Sequence, residues 1–80
     1  LTAFPVPFQE NVSVRMNSMQ SSKATLRVLN TLGSIVEERM VNVASGSNHW
    51  TFDSRNWAPG IYTIQVATEG NVDSLPVVKQ

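Results

Sequence analysis

The sequence predicts an all-β protein: a small, seven-stranded antiparallel β-sandwich of the immunoglobulin-like kind. Two observations carry this prediction. Apolar and polar residues alternate with a period of two through most of the chain, the pattern of strands that have one face in a core and one in water. Clusters of Gly, Pro, Asn and Ser separate these runs at near-regular spacing, as expected for the turns of a sandwich.

The alternating runs define the predicted core face of each strand. The apolar residues that we expect to point inward are Val12, Val14 and Met16, then Ala24, Leu26 and Val28, then Trp50 and Phe52, and finally Tyr62, Ile64 and Val66. Segment 34–43 alternates less clearly, but its β-branched residues and the preceding Leu32-Gly33 turn favour a strand. Pro59-Gly60 has the composition of a type II turn, with proline at the first central position and glycine at the second.

Prolines at both ends of the chain predict edge strands. Segment 4–8 reads FPVPF, and its prolines lack the N–H groups that a central strand needs. We expect its Phe and Val side chains to share one face of an edge strand. Pro76 leads to the same prediction for the last segment. Both ends should therefore lie where a partner can add a strand.

Length and charge limit the classes of protein to which this chain can belong. Eighty residues form a single domain, predicted over residues 1–80, with a thin core and little room for a deep cleft. Six basic and six acidic residues cancel, so no basic patch is available for nucleic acid or anionic membrane. No apolar run approaches the roughly 20 residues of a membrane span, which argues against direct membrane insertion. Because the chain starts at Leu1 rather than Met, we expect it to be a fragment of a larger secreted protein.

The chain offers little catalytic or metal-binding chemistry. It has no cysteine and a single histidine, His49. On a strand, His49 and Asp53 would point the same way but lie roughly 13 Å apart, too far for a dyad. The carboxylates are scattered, and Glu37-Glu38-Arg39 is interpreted as a solvated strand face. We therefore predict no catalytic residue, no metal site and no cofactor.

The tryptophans allow two interpretations. Trp50 alternates in phase with Phe52, which favours the core. Trp57 lies in a loop just before Pro59-Gly60, where a large apolar residue commonly plugs the end of a sandwich. An exposed Trp57 could instead form a platform that stacks against a sugar ring. The core-plug interpretation is favoured.

Four short motifs occur in a fixed order along the chain: FPVPF, VLNTLGSIV, HWTFD followed by APGIY, and a closing VVKQ. In this order they resemble the C-terminal sorting domain of the type IX (Por) secretion system of Bacteroidetes. That family typically reads YPNPF, hLLGRxV and FDxSxLxxGxY, and ends in a hydrophobic–basic segment. The resemblance spans essentially the whole chain, with Val6 standing where asparagine is usual and Trp57 where leucine is usual.

The resemblance assigns particular residues to the family motifs. The opening motif is matched by Phe4, Pro5, Pro7 and Phe8, and the middle motif by Leu32, Gly33 and Val36. The long motif is matched by Phe52, Asp53, Ser54, Trp57, Gly60 and Tyr62. The closing motif is matched by Val77, Val78 and Lys79, which the resemblance implies to be the secretion signal that a partner recognises.

The resemblance implies a non-enzymatic protein that directs a cargo through the outer membrane. The implied partners are the outer-membrane translocon and shuttle protein of the type IX system and a cell-surface sortase. The implied route leads through the periplasm to the outer membrane, the cell surface or the medium. The domain could be cleaved by the sortase or retained, and its edge strands could pair two copies into a dimer. The alternative function is that of an immunoglobulin-like or fibronectin-like accessory module, acting as a spacer or binding carbohydrate.

Overall fold

The computed structural model describes residues 1–80 and contains seven strands and no helix. The strands are β1 (Thr2–Phe4), β2 (Asn11–Ser18), β3 (Ser22–Leu29), β4 (Ile35–Val43), β5 (Gly46–Asp53), β6 (Gly60–Thr68) and β7 (Asn71–Lys79). Segment 34–43 is therefore a strand, as predicted. The structure offers no helix with the length and hydropathy that crossing a bilayer would require.

The strands form two antiparallel sheets that pack as a sandwich. One sheet has the order β1-β2-β5 and the other the order β4-β3-β6-β7. The predicted all-β sandwich is confirmed. β7, which contains Pro76, lies at a sheet edge, as predicted; β1 also lies at an edge, but the prolines of segment 4–8 come after it. Pro76 is tolerated because its missing N–H would point away from β6. The carbonyl of Val78 points to the outer edge of β7, and backbone groups two residues apart in a strand point the same way, so the ring nitrogen of Pro76 also lies on the outer edge.

A continuous apolar core fills the space between the sheets. It consists of alternate residues of the strands together with Phe8, and the inward faces predicted for β2, β3 and β6 are all confirmed. The buried apolar residues are Phe8, Val12, Val14, Met16, Ala24, Leu26, Val28, Val43, Phe52, Tyr62, Ile64, Val66 and Val77. Trp50 is half-buried and packs against this cluster.

Asn48 stabilises the point where the chain passes from one sheet to the other, between β4 and β5. Its side-chain oxygen accepts a hydrogen bond from the Ala44 amide at 2.8 Å. Its amide nitrogen donates to the carbonyls of Ala44 at 2.9 Å and Gly46 at 3.3 Å. A buried amide must be satisfied in this way, and nothing in the alternating pattern singles this residue out.

The prediction that segment 4–8 forms one edge strand is wrong. β1 ends at Phe4, and Pro5–Pro7 form bends. Phe8 is fully buried, whereas Val6 is 52% exposed. The reason is that the segment crosses between sheets: Phe4 pairs with Ser13 of β2, while Phe8 forms a bridge with Lys79 of β7.

The Pro59-Gly60 turn also differs from its prediction. Gly60 has φ of 150°, far from the value of about 80° that a type II turn requires at this position. The hydrogen-bonded turn lies earlier, where the amide of Trp57 donates to the carbonyl of Ser54 at 3.0 Å. Gly60 instead begins β6 in a conformation that side-chain-bearing residues rarely adopt.

The charged residues of β4 are not all on a solvated face. Arg39 pairs in register with Leu26, so it lies on the core side. Its guanidinium carbon is 4.5 Å from the ring centre of Phe52, and it donates a hydrogen bond to the Thr51 carbonyl at 3.3 Å. Arg39 thus covers the core where the edges of the two sheets meet. Glu38 does face outward, as predicted, and pairs with Arg27 at 2.6 Å.

Candidate functional site

The fold collects most of the motif residues at one end of the sandwich. Strand registers define this end: Asn11 pairs with Asp53, Leu29 with Thr63, and Gly60 with Lys79. Segments 5–10, 30–34 and 54–59 and the last residues of β7 therefore lie together, and we call this the motif end. No single stretch of the sequence shows this arrangement, because the four segments are dispersed along the chain.

Phe8 joins the start of the chain to its last strand. Its amide donates a hydrogen bond to the carbonyl of Val78 at 2.9 Å, and its carbonyl accepts one from the amide of Gln80 at 2.8 Å. These bonds flank Lys79 in the pattern of a parallel bridge. The opening and closing motifs are thus one structural unit.

An aromatic cluster closes the core at the motif end. The Phe8 and Trp57 rings meet edge to face, with centres 5.9 Å apart, and Trp57 and Tyr62 are 5.2 Å apart. The centre of the Phe52 ring lies 6.4 Å from that of Trp57. Aromatic pairs at these separations are favourable beyond the area they bury. Trp57 is half-buried against the core, which confirms the core-plug interpretation.

Two polar groups hold the loop before β6 in place. The Tyr62 hydroxyl donates a hydrogen bond to the Ala58 carbonyl, four residues earlier. The Ser54 side chain is fully buried and donates to the carbonyl of Gln9 at 3.2 Å, while its amide donates to Glu10 at 2.9 Å. Ser54 therefore ties the long motif to the segment that follows Phe8. Its place in the family motif was the only sequence signal for this role.

Asp53 and Arg55 form an exposed, two-point ion pair. Arg55 Nη2 donates to Asp53 Oδ2 at 2.8 Å and Nε to Oδ1 at 3.1 Å, and the Arg55 amide donates to the same Oδ1 at 3.1 Å. Hydrogen bonding from the Arg55 side chain is the main cause that lowers the pKa of Asp53 from 3.8 to about 2. The motif aspartate thus shapes the turn and has no arrangement that would make it an acid or a base in catalysis.

We expect the replacement Arg55→Gln to return the pKa of Asp53 toward 3.8, because the donors that favour the carboxylate are lost. A native pKa below the unfolded value means that the pair stabilises the fold above pH 3.8 and that this contribution is lost as the pH falls toward 2. NMR titration of the carboxyl carbon measures the midpoint. Arg27→Gln, which breaks a different exposed arginine pair, is the control. An unchanged Asp53 midpoint in the Arg55 variant would contradict the assignment.

The middle motif forms a compact turn built around Asn30. Its side-chain oxygen accepts hydrogen bonds from the amides of Leu32 and Ser34, both at 3.0 Å. Gly33 has φ of 81°, which explains the glycine in the motif. Leu32 lies at the tip and is 88% exposed. The turn was predicted, whereas the role of Asn30 was not.

The three predicted signal residues do not point the same way. Val77 is 1% exposed and belongs to the core. Lys79 is 8% exposed, and its Nζ donates to the carbonyl of Gln80 at 3.2 Å. Only Val78, at 43%, presents its side chain to solvent. A partner that binds the folded domain can therefore reach Val78 but not the side chain of Val77.

Val78 belongs to an apolar patch on the outer face of the four-stranded sheet. Register defines the patch: Ile61 pairs with Val78, Leu29 with both Ile35 and Thr63, and Thr63 with Pro76. We call this the outer-face patch; its apolar members are Leu29, Ile35, Ile61, Pro76 and Val78, and Thr63 lies among them. Ile35 and Ile61 are each 55% exposed. The Arg27–Glu38 ion pair lies on the same face, two residues from Leu29 along β3, and forms a polar boundary of the patch there.

Elsewhere the surface shows no constellation with an evident chemical role. His49 is exposed, as predicted, and its ring lies parallel to that of Phe4 with centres 5.8 Å apart. No group of three or more His, Cys, Asp or Glu side chains is placed to hold a metal ion. The largest cleft lies at the opposite end and is lined mainly by polar residues of the turns there, including Ser18, Gln20 and Glu69.

Comparison with known proteins gives a family match that includes every segment of the motif end. A family model described as a secretion system C-terminal sorting domain matches residues 2–80, which is nearly the whole sequence. No curated protein matches the chain.

Proposed function

The chain belongs to the family of type IX secretion-system C-terminal sorting domains, and we propose that the secretion machinery recognises it in folded form through the outer-face patch. The domain is a sorting signal for type IX secretion, and the observation that carries this function is the match over residues 2–80. Membership implies interaction with the secretion machinery and export toward the cell surface or beyond. The family is not known as catalytic.

The outer-face patch is the proposed contact because it is apolar, exposed and built on rigid strands. Apolar residues grouped on one surface and bounded by polar ones are typical of protein–protein contact sites. Ile61 and Val78 form a direct cross-strand pair in it, each more than two-fifths exposed. A partner that covers this pair removes apolar area from water, which favours binding.

Within the predicted signal Val77, Val78 and Lys79, we assign different roles to neighbouring residues. Val78 makes the contact. Val77 anchors the strand in the core, and Lys79 is held on the same inner side, bracketed by the hydrogen bonds of Phe8. This division follows from the alternation of side chains along a strand.

The finer partners are also part of the proposal: the outer-membrane translocon, the shuttle protein and the cell-surface sortase, reached through the periplasm. The domain itself performs no catalysis.

Two copies can pair through the edge of β7 between Asn71 and Pro76, where no backbone partner occupies the outer side. No observation favours the accessory-module alternative, and Trp57, the residue that a sugar-binding role would use, packs against Tyr62 and the core.

The test fuses residues 1–80 to the C-terminus of a periplasmic reporter in a bacterium that has a type IX system. We expect the reporter at the cell surface, measured by antibody labelling of intact cells. Val78→Asp should lower the surface signal by about tenfold, because a charge would replace an apolar contact residue. Met40→Asp is the matched control, because Met40 is exposed on the same sheet but pairs with Thr25, away from the patch.

Two outcomes would contradict the proposal at different levels. A wild-type fusion that stays in the periplasm would argue against the sorting function itself. Normal surface display of the Val78 variant would leave that function intact and remove the outer-face patch from it. These point variants are sharper than deletion of residues 77–80, because the deletion also removes a core residue and the partners of Phe8.

A further inference from the structure

We propose that the opening segment Pro7–Gln9, here called the strap, is part of the surface that the secretion machinery contacts, and that it stays closed on β7 during recognition. This inference rests on the proposed function and extends its site. The strap is distant from β7 in the sequence, and the inference adds it to the contact surface.

Backbone pairing is the first support. Phe8 occupies the outer edge of β7 by bonding the Val78 carbonyl and the Gln80 amide. A partner strand could pair with residues 78–80 only by displacing Phe8. The Phe8 side chain is fully buried against Trp57 and Tyr62, so displacement would expose a large ring to water. The closed strap is therefore the state that a partner meets.

Side-chain direction is the second support. Val78 and Gln80 alternate with the inward-facing Val77 and Lys79, so both project toward the outer face. Gln9 Nε2 donates to Gln80 Oε1 at 3.3 Å, although the two residues are 71 positions apart. The exposed amides of the strap and the chain end thereby extend the outer-face patch beyond Val78.

The resulting composite surface indicates the chemistry of its partner. Aliphatic side chains, Ile61 and Val78, lie beside the amides of Gln9 and Gln80. A protein surface with an apolar centre and hydrogen-bonding groups at its margin would match it. A partner that contacts Val78 and the chain end would also contact Gln9.

The first experiment uses the reporter fusion with Gln9→Arg. We expect about a tenfold lower surface signal, because a bulky charge would lie in the contact. Gln20→Arg is the matched control: Gln20 is equally an exposed glutamine, but it lies in the turn at the opposite end of the sandwich. Display of the Gln9 variant at the level of the Gln20 control would overturn the role of the strap in contact.

The second experiment locks the strap. The chain has no cysteine, so the only disulfide that can form within one domain of the double variant Gln9→Cys, Gln80→Cys is the one that joins the strap to the chain end. We expect the oxidised double variant to be displayed as well as the two single-cysteine variants, with the disulfide verified by mass spectrometry. Periplasmic retention of the oxidised form alone would show that the strap must open, and would overturn the proposal.

The wild-type fusion separates this inference from the function on which it rests. Its failure to reach the surface would count against the sorting function. Its display, combined with normal display of the Gln9 variant or retention of the locked form, would count against the strap alone. Circular dichroism of each purified domain verifies that the compared variants are folded.

Discussion

Phe8→Ala is expected to remove a large part of the folding free energy of the domain. Its ring is fully buried and contacts Trp57 and Tyr62. Truncation of a buried phenylalanine costs about 3–5 kcal/mol, from lost transfer energy and the cavity that remains. A domain of 80 residues has a total stability of roughly 4–12 kcal/mol, so the variant would be marginal or unfolded.

Phe4→Ala is the matched control for this prediction, since it makes the same change in the same motif. Phe4 is 39% exposed and lies against two surface groups, the ring of His49 and the guanidinium of Arg15. We expect a loss of about 1 kcal/mol. Urea unfolding, followed by tryptophan fluorescence, measures both variants. Equal losses would contradict the burial of Phe8 and its crossing to β7.

The replacements Val77→Asp and Val78→Asp are expected to differ sharply although the residues are adjacent. Val77 is 1% exposed, so Val77→Asp would bury a carboxylate with no partner. Such a change costs several kcal/mol, either as desolvation or as a raised pKa that keeps the group neutral. Val78 is 43% exposed, so Val78→Asp should cost only about 1 kcal/mol, mainly through β-propensity.

The same pair of variants separates stability from recognition. Both should lower surface display of the reporter. Val77→Asp should do so because the domain unfolds, whereas Val78→Asp should do so because a folded domain has lost its contact with the partner. Urea midpoints of the purified domains, compared with surface labelling, distinguish these causes. A folded Val77 variant, or an unfolded Val78 variant, would contradict the alternation observed in β7.

The strands were predictable because their signals are local. Alternation over five residues shows which of Tyr62, Thr63 and Ile64 point inward, and no knowledge of the neighbouring strand is needed. The glycine of the Leu32-Gly33 turn was predictable for the same reason. The period of two also places Lys79 on the same face as Val77, without showing which face is inward; the sequence motif obscured this by grouping three consecutive residues as one signal.

The errors arose where distant segments meet. Segment 4–8 has the alternation of a strand, yet Phe8 finds its partners in β7 and its ring enters the core beside Trp57. Pro59-Gly60 has the composition of a type II turn, but the hydrogen bond from Tyr62 to Ala58 and the start of β6 give the chain a different path there. The position of Arg39 over the core depends on Leu26, its neighbour across the sheet.

The sequence by itself determined strands β2 to β7, the inward faces of β2, β3 and β6, the edge position of β7 and, through its ordered motifs, the sorting-domain family. Only the tertiary structure decided that Phe8 closes on Val78 and Gln80, that Val78 rather than Val77 is open to a partner, and that Ile61 lies beside it. The physical reason is range: alternation and turn chemistry act between neighbours in the chain, whereas pairing and burial depend on residues as far apart as Gln9 and Gln80.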